Sequence, residues 1–352
     1  MKIEHLVNLS LMECFTSCVM TYVKSTGNDP SCLLLDYWNL SYQHRTLLTS
    51  KHARLLPLEY LYGMNWTDNS GDSSSLLQCV KEGNAAILLC TASRLSYFPP
   101  QYLTMESGGF QHSTLIYGWD DGQGRFLVAD PIVNHLAVVS PEEIQYAGEQ
   151  RKGSGELLYF RLSEPSPAFV QPDARSVLPY CAGRNLSFYL NRDEPGKEAA
   201  DPQISREQDK RTAWAQWFVN RHNGARAFAG FEADLQASIE WPQDKRNAWI
   251  SSNKIMIPAI KRIRSLIWNA YAGKAQFPEA VQSAGKQQIA HIHALWNGLL
   301  MLLLKYSNQT SGASLVPSLL RQSEKIMHAE TGFLEWLRAA VNEEEQNERH
   351  LG

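Results

Sequence analysis

Beyond residue 203 the apolar residues of this chain fall three and four positions apart, and before residue 163 they do not. No other feature constrains the fold as much, because the two rhythms bury their apolar faces in different architectures. Trp214, Trp217 and Phe218 stand at i, i+3 and i+4, and Phe228, Phe231 and Leu235 extend the pattern. Ile260, Ile263, Ile267 and Tyr271 form a further stripe, and Ile289, Ile292, Trp296, Leu299, Leu300 and Leu303 another. Leu319, Ile326, Phe333, Leu337 and Val341 form the last. Each is the buried face of an amphipathic helix, and several such helices with short connections predict a bundle over 203–346. Trp214, Trp217, Trp268, Trp296 and Trp336 are expected to fill its core.

Residues 1–163 read as an α+β domain. Phe15 to Lys24 fits a helix that stops at Gly27. Strand-like runs follow at Ala85–Cys90, Ser113–Trp119, Arg125–Ala129, Leu136–Val139 and Leu157–Leu162. Asp120-Asp121-Gly122-Gln123-Gly124 is a hairpin turn between two of them, so the sheet is expected to be antiparallel. Residues 164–202 read as a linker. Its two ends, Ser163–Asp173 and Asn191–Pro202, carry prolines, and the piece at 177–190 fits a strand or hairpin.

At 352 residues, two domains are expected. A hydrophobic content of 44% against 20% charged residues supports packed cores. The formal net charge of −3 lacks the basic excess of a dedicated nucleic-acid binder. No run of 18 apolar residues is present to span a bilayer, and the first residues are too acidic for a secretion signal. The expectation is a cytoplasmic protein with neither nucleic acid nor membrane as partner. Six cysteines without a CxxC pair or zinc-like spacing point to neither a disulfide framework nor a metal site.

One cysteine is a candidate nucleophile. Cys14 directly precedes an apolar helix, where unpaired backbone N–H groups and the helix dipole stabilise a thiolate. Cys18, one turn later, is its rival, but lies inside the helix away from those groups. His112 stands at the start of a strand, and Asp130 at the end of the next. A hairpin makes these two neighbours, so the carboxylate can hold the imidazole in its useful tautomer. Read singly, each has a plainer role: a core thiol, a strand-edge histidine, a turn aspartate before Pro131.

Taken in order, these motifs are a cysteine opening a helix with Gly27 thirteen residues on, His112 followed by Tyr117-Gly118 and Asp120-Asp121, and Val128-Ala129-Asp130-Pro131. The pattern resembles the papain-like, C39-like peptidases. More closely, it is similar to the BtrH-like family, named for the N-terminal domain of a butirosin-biosynthesis protein, in which a papain-like domain precedes a helical one. The resemblance implies a papain-like fold, with Cys14 as nucleophile, His112 as general base and Asp130 as orienting acid. A glutamine six residues before the cysteine assists the oxyanion in C39-like peptidases. Asn8 stands there in this chain and has the plainer reading of a cap or loop amide. Glu13 replaces the histidine that often precedes the family's cysteine.

The implied activity is acyl transfer from the phosphopantetheine thioester of an acyl or peptidyl carrier protein to a small amine, in natural-product biosynthesis. The phosphopantetheine arrives on the donor, and no cofactor of the enzyme's own is implied. Two alternatives stay open: a C39-like cysteine peptidase or amidase, and a non-catalytic carrier-protein or peptide binder. Elsewhere, His291 and His293 at i, i+2 point to different helix faces and suit no shared ion. Lys254, Lys261, Arg262 and Arg264 read either as a solvated helix face or as a surface that steers an acidic carrier.

Overall fold

A computed structural model describes residues 1–49, 56–101, 111–149, 155–165, 168–190, 222–308 and 312–351. It is a mixed helix and sheet protein with antiparallel sheets, an α+β architecture. The chain divides into two compact units, Met1–Leu33 with Arg54–Gln171, and Leu34–Ala53 with Pro172–Gly352. The division corrects the expected boundaries, because the segment from Leu34 belongs with the helices. Its contacts explain why. Tyr271 donates a hydrogen bond to the Leu35 carbonyl at 2.7 Å, and the Asn185 side chain grips both the Leu35 carbonyl and the Trp38 N–H.

The first unit opens with α1 (Cys14–Ser25). Nine successive residues of α1, Phe15 to Val23, are buried, so this helix is enclosed on every side. A six-stranded sheet follows in the order β3-β8-β4-β5-β6-β7. Its strands are β3 (Asn65–Gly71), β4 (Ala85–Thr91), β5 (Gln111–Asp120), β6 (Arg125–Asp130), β7 (His135–Val139) and β8 (Leu157–Ser163). α2 (Leu56–Tyr62), α3 (Ser73–Lys81) and α4 (Pro141–Gly148) complete the unit. Ala86, Leu88 and Cys90 of β4 join Ile116, Phe126 and Val128 in a core with Leu76 and Val80 of α3 and Ile144 and Ala147 of α4. The alternate residues Ala85, Ile87 and Leu115 are buried too, and α1 packs against β4 and β5. Burial of both faces explains why β4 reads as an unbroken apolar run instead of an alternating one. The expected hairpin turn is present. Asp120 Oδ1 accepts the N–H groups of Gly122 and Gln123, and Gly124 takes φ +64°, a conformation that favours glycine.

The second unit holds the short strands β1 (Ser41–Gln43), β2 (Thr46–Leu48) and β9 (His222–Asn223), paired in the order β2-β1-β9. Its helices are α5 (Leu178–Leu190), α6 (Arg226–Ala237), α7 (Gln243–Ala275), α8 (Glu279–Ser307) and α9 (Val316–Leu351). The helical stripes from Phe228 onward sit inside as expected, with only Leu300 among them half-buried. Trp214, Trp217 and Phe218 lie outside the described residues, as do residues 191–202 of the expected linker. The strand or hairpin expected at 177–190 is instead the helix α5. Its buried residues Leu178, Cys181, Ala182, Asn185, Leu186 and Tyr189 follow a helical period, which outweighs the local β propensity of its aromatic residues.

Arg264 also departs from expectation. It is wholly buried in place of lying on a cationic face, and its guanidinium clasps Glu330 with Nε to Oε1 at 3.0 Å and Nη2 to Oε2 at 2.8 Å. Trp296 and Trp38 donate their indole N–H groups to the same carboxylate. A buried charge persists only when it is paired and hydrogen-bonded, and four donors meet that condition here.

Candidate active site

Cys14 is the first residue of α1, preceded by a single 3-10 turn over Leu11–Glu13. It is partly exposed, whereas Cys18, Cys32, Cys79, Cys90 and Cys181 are all buried. Cys18 donates its thiol to the Ser113 carbonyl at 3.4 Å. Burial pushes the Cys18 and Cys90 thiols well above the ordinary cysteine range, and nearby Asp130 pushes them further. Neither is suited to act as a thiolate at neutral pH. Of Cys14 and Cys18, only Cys14 is reached by solvent.

His112 is the second residue of β5 and Asp130 the last of β6. Their meeting depends on a register shift. Near the turn, Asp120 pairs with Arg125 and Gly118 with Leu127. Carried on unchanged, that register would set Asp130 level with Leu115, on the face of β5 opposite to His112. A β-bulge between Ile116 and Gly118 moves the register by one residue, so that Leu115 pairs with Ala129. Asp130 thereby comes level with Thr114, whose face His112 shares. His112 Nε2 and Asp130 Oδ2 lie 2.7 Å apart, with both side chains fully buried.

Burial alone would drive the His112 pKa down. The hydrogen bond to Asp130 and a further one to the Cys14 side chain outweigh it and push the ring up to about 9. Nε2 is committed to Asp130, which leaves Nδ1 as the ring nitrogen available to the Cys14 side chain. Phe98 packs edge-on against the imidazole, with ring centroids 4.9 Å apart. The three side chains expected from the sequence are thus brought together, with the sulfur at a helix N-terminus and the acid behind the ring.

The remaining Asp130 oxygen, Oδ1, accepts the Ile132 N–H at 3.1 Å. Asn8 donates its side-chain amide to the carbonyl of that same Ile132 at 3.1 Å. Asn8 thus ties the N-terminal segment to the loop that orients the acid, in line with its plainer reading as a loop amide. Glu13 is buried and accepts a hydrogen bond from the Thr16 hydroxyl, within the first turn of α1. Tyr97 is a member of the site that sequence reasoning missed. Its hydroxyl donates to Asp130 Oδ2 at 3.2 Å, and nothing in the local sequence Leu95-Ser96-Tyr97-Phe98 signals that contact.

Among the described residues, no cluster of His, Cys, Asp and Glu is arranged to hold a metal ion. His293 Nε2 lies 2.9 Å from the Lys261 carbonyl, and His291 is exposed. Among the described residues, no helix is long and apolar enough to cross a membrane. No family model matches the chain, and comparison with curated proteins finds no match.

Proposed function

We infer that this protein is a cysteine-dependent acyltransferase, with a papain-like first unit of the BtrH-like kind. The observation that carries the reading is the convergence of an accessible Cys14, His112 and a buried Asp130. The donor is the thioester of an acyl or peptidyl carrier protein, and the acceptor is a small amine.

The chemistry follows from the roles. An imidazolium that holds its proton to about pH 9 stabilises the Cys14 thiolate at neutral pH. The thiolate attacks the thioester carbonyl, and the tetrahedral intermediate collapses with loss of the carrier's phosphopantetheine thiolate, which takes the imidazolium proton. A Cys14 acyl-enzyme and neutral His112 remain. The amine then attacks the acyl carbon, His112 accepts its proton, and the amide leaves as the Cys14 thiolate returns. Exchange of one thioester for another costs little bond energy, and amide formation drives the second half. Asp130 keeps the ring oriented and supports its charge throughout.

The test is mass spectrometry of the intact protein after exposure to acylated carrier proteins. The expected result is one acyl increment on the wild type that is absent from Cys14→Ala. Added amines should remove it as amides, in competition with water. Loss of the increment to water alone, at a rate indifferent to amine, would assign a peptidase or amidase. An increment that survives Cys14→Ala would remove Cys14 from the reaction.

A further inference from the structure

Behind the His112–Asp130 pair stands a second hydroxyl-bearing layer. Tyr97 Oη lies 3.2 Å from Asp130 Oδ2, the oxygen that faces His112, and 3.2 Å from Thr114 Oγ1. Thr114 in turn donates to the Ala129 carbonyl at 3.2 Å. The single phenolic proton goes to the charged acceptor, because a carboxylate binds a donor about twice as strongly as a neutral oxygen does. Oδ2 is therefore shared between an imidazole N–H and a phenol O–H. The Tyr97 ring is held in place by His135 on the neighbouring strand, at 5.5 Å between centroids. Burial raises the Tyr97 hydroxyl well above the usual tyrosine range, with the Asp130 charge adding to it, so it stays a donor across the working pH range.

We propose that Tyr97 is a positioning residue of the acyl-transfer site, one that fixes the Asp130 carboxylate and draws off part of the charge with which Asp130 holds the proton on His112. This rests on the reading of Cys14, His112 and Asp130 as reacting and orienting groups. A base that must give up and take back a proton in each turnover is hindered when its partner holds that proton too tightly. The phenol weakens the hold without removing the carboxylate. The titratable groups around this pair are Cys14 and Cys18 from α1, Cys90 from β4, Tyr97 itself, and His135 level with Asp130 on β7. Of these, Tyr97 alone donates a hydrogen bond to the oxygen that His112 uses, among the described contacts.

The experiment follows the ring Cε1–H resonance of His112 through a pH titration of the whole protein labelled at histidine, in wild type and Tyr97→Phe. The phenylalanine keeps the ring against His135 and removes only the hydroxyl. With the competing donor gone, the carboxylate becomes more basic and holds the imidazolium proton longer. The His112 midpoint should rise by roughly half to one pH unit. A merely structural tyrosine would leave the midpoint in place, and a midpoint unmoved or lowered in a folded variant would overturn the proposal. Circular dichroism of the same samples reports folding, and Tyr97→Leu, which carries no donor and adds no bulk, serves as a second variant should the first unfold. The underlying reading fails separately. If the wild-type ring titrates near the free value, and Cys14 reactivity is indifferent to His112→Ala, the acyltransfer site itself is wrong whatever Tyr97 does.

Discussion

Replacing Asp130 with asparagine preserves the shape of the side chain and removes its charge. The native ring of His112 ionises near 9, against 6.5 for an ordinary imidazole, and burial opposes that rise. Without the carboxylate, only the Cys14 interactions oppose burial, and the ring's ionisation moves down toward the ordinary imidazole value. At about pH 7.5 nearly all wild-type rings carry the proton, whereas a ring at 6.5 carries it in about one molecule in eleven. A ring brought down that far would make the thiolate–imidazolium pair about tenfold scarcer. The assay is the second-order rate of carboxymethylation by iodoacetate, located on Cys14 by mass spectrometry, across pH. Iodoacetate is an anion, so it reports the imidazolium as well as the thiolate. The wild type should stay reactive through neutral pH and decline as pH passes about 9, because a raised histidine pKa keeps the cation present below it. Asp130→Asn should lose several-fold, up to about tenfold, at pH 7.5, with its decline moved toward neutral. Rates within about twofold of wild type at every pH would refute the claim that this carboxylate holds the proton on the ring.

Other outcomes follow from the same geometry. Titration of the native protein with a chromogenic disulfide should find one fast thiol, lost in Cys14→Ala and retained in Cys18→Ala, since the other cysteines are buried; a fast thiol that survives the first change contradicts this. Arg264→Ala or Glu330→Ala should each cost roughly 3–5 kcal/mol in chemical denaturation followed by tryptophan fluorescence, because each strands a buried charge. The paired change Arg264→Met with Glu330→Leu should recover most of that loss, and single losses under about 1 kcal/mol would show the pair to be solvated.

What the sequence displays depends on how locally each feature is determined. The strands at Ala85 and Arg125 and the turn between β5 and β6 were readable because burial and turn chemistry lie within a few residues. β3 was not, since Asn-Trp-Thr-Asp-Asn-Ser-Gly is polar and pairs only with β8 at the sheet's edge. The order of Cys14, His112 and Asp130 was legible, because a cysteine opening an apolar helix and an aspartate closing a strand each leave a local mark. The bulge that makes two of them meet leaves none. Tyr97 and Arg264 escaped for a related reason. Tyr97 reaches an acid 33 residues away, and Arg264 a glutamate 66 residues away.

The order in which the chain visits its two units limits how the protein can be taken apart. It leaves the first unit after Leu33, returns at Arg54 and departs again after Gln171. A truncation at residue 171 therefore carries an orphan stretch whose Leu35, Trp38, Leu40 and Leu47 are fully enclosed in the intact protein. Such a fragment would present these side chains to water and be prone to aggregate. Isolating the first unit calls for chain breaks after Leu33, before Arg54 and after Gln171, with a splice between Leu33 and Arg54, so Cys14 reaches its neighbours only on a polypeptide that has first made a detour through the other unit.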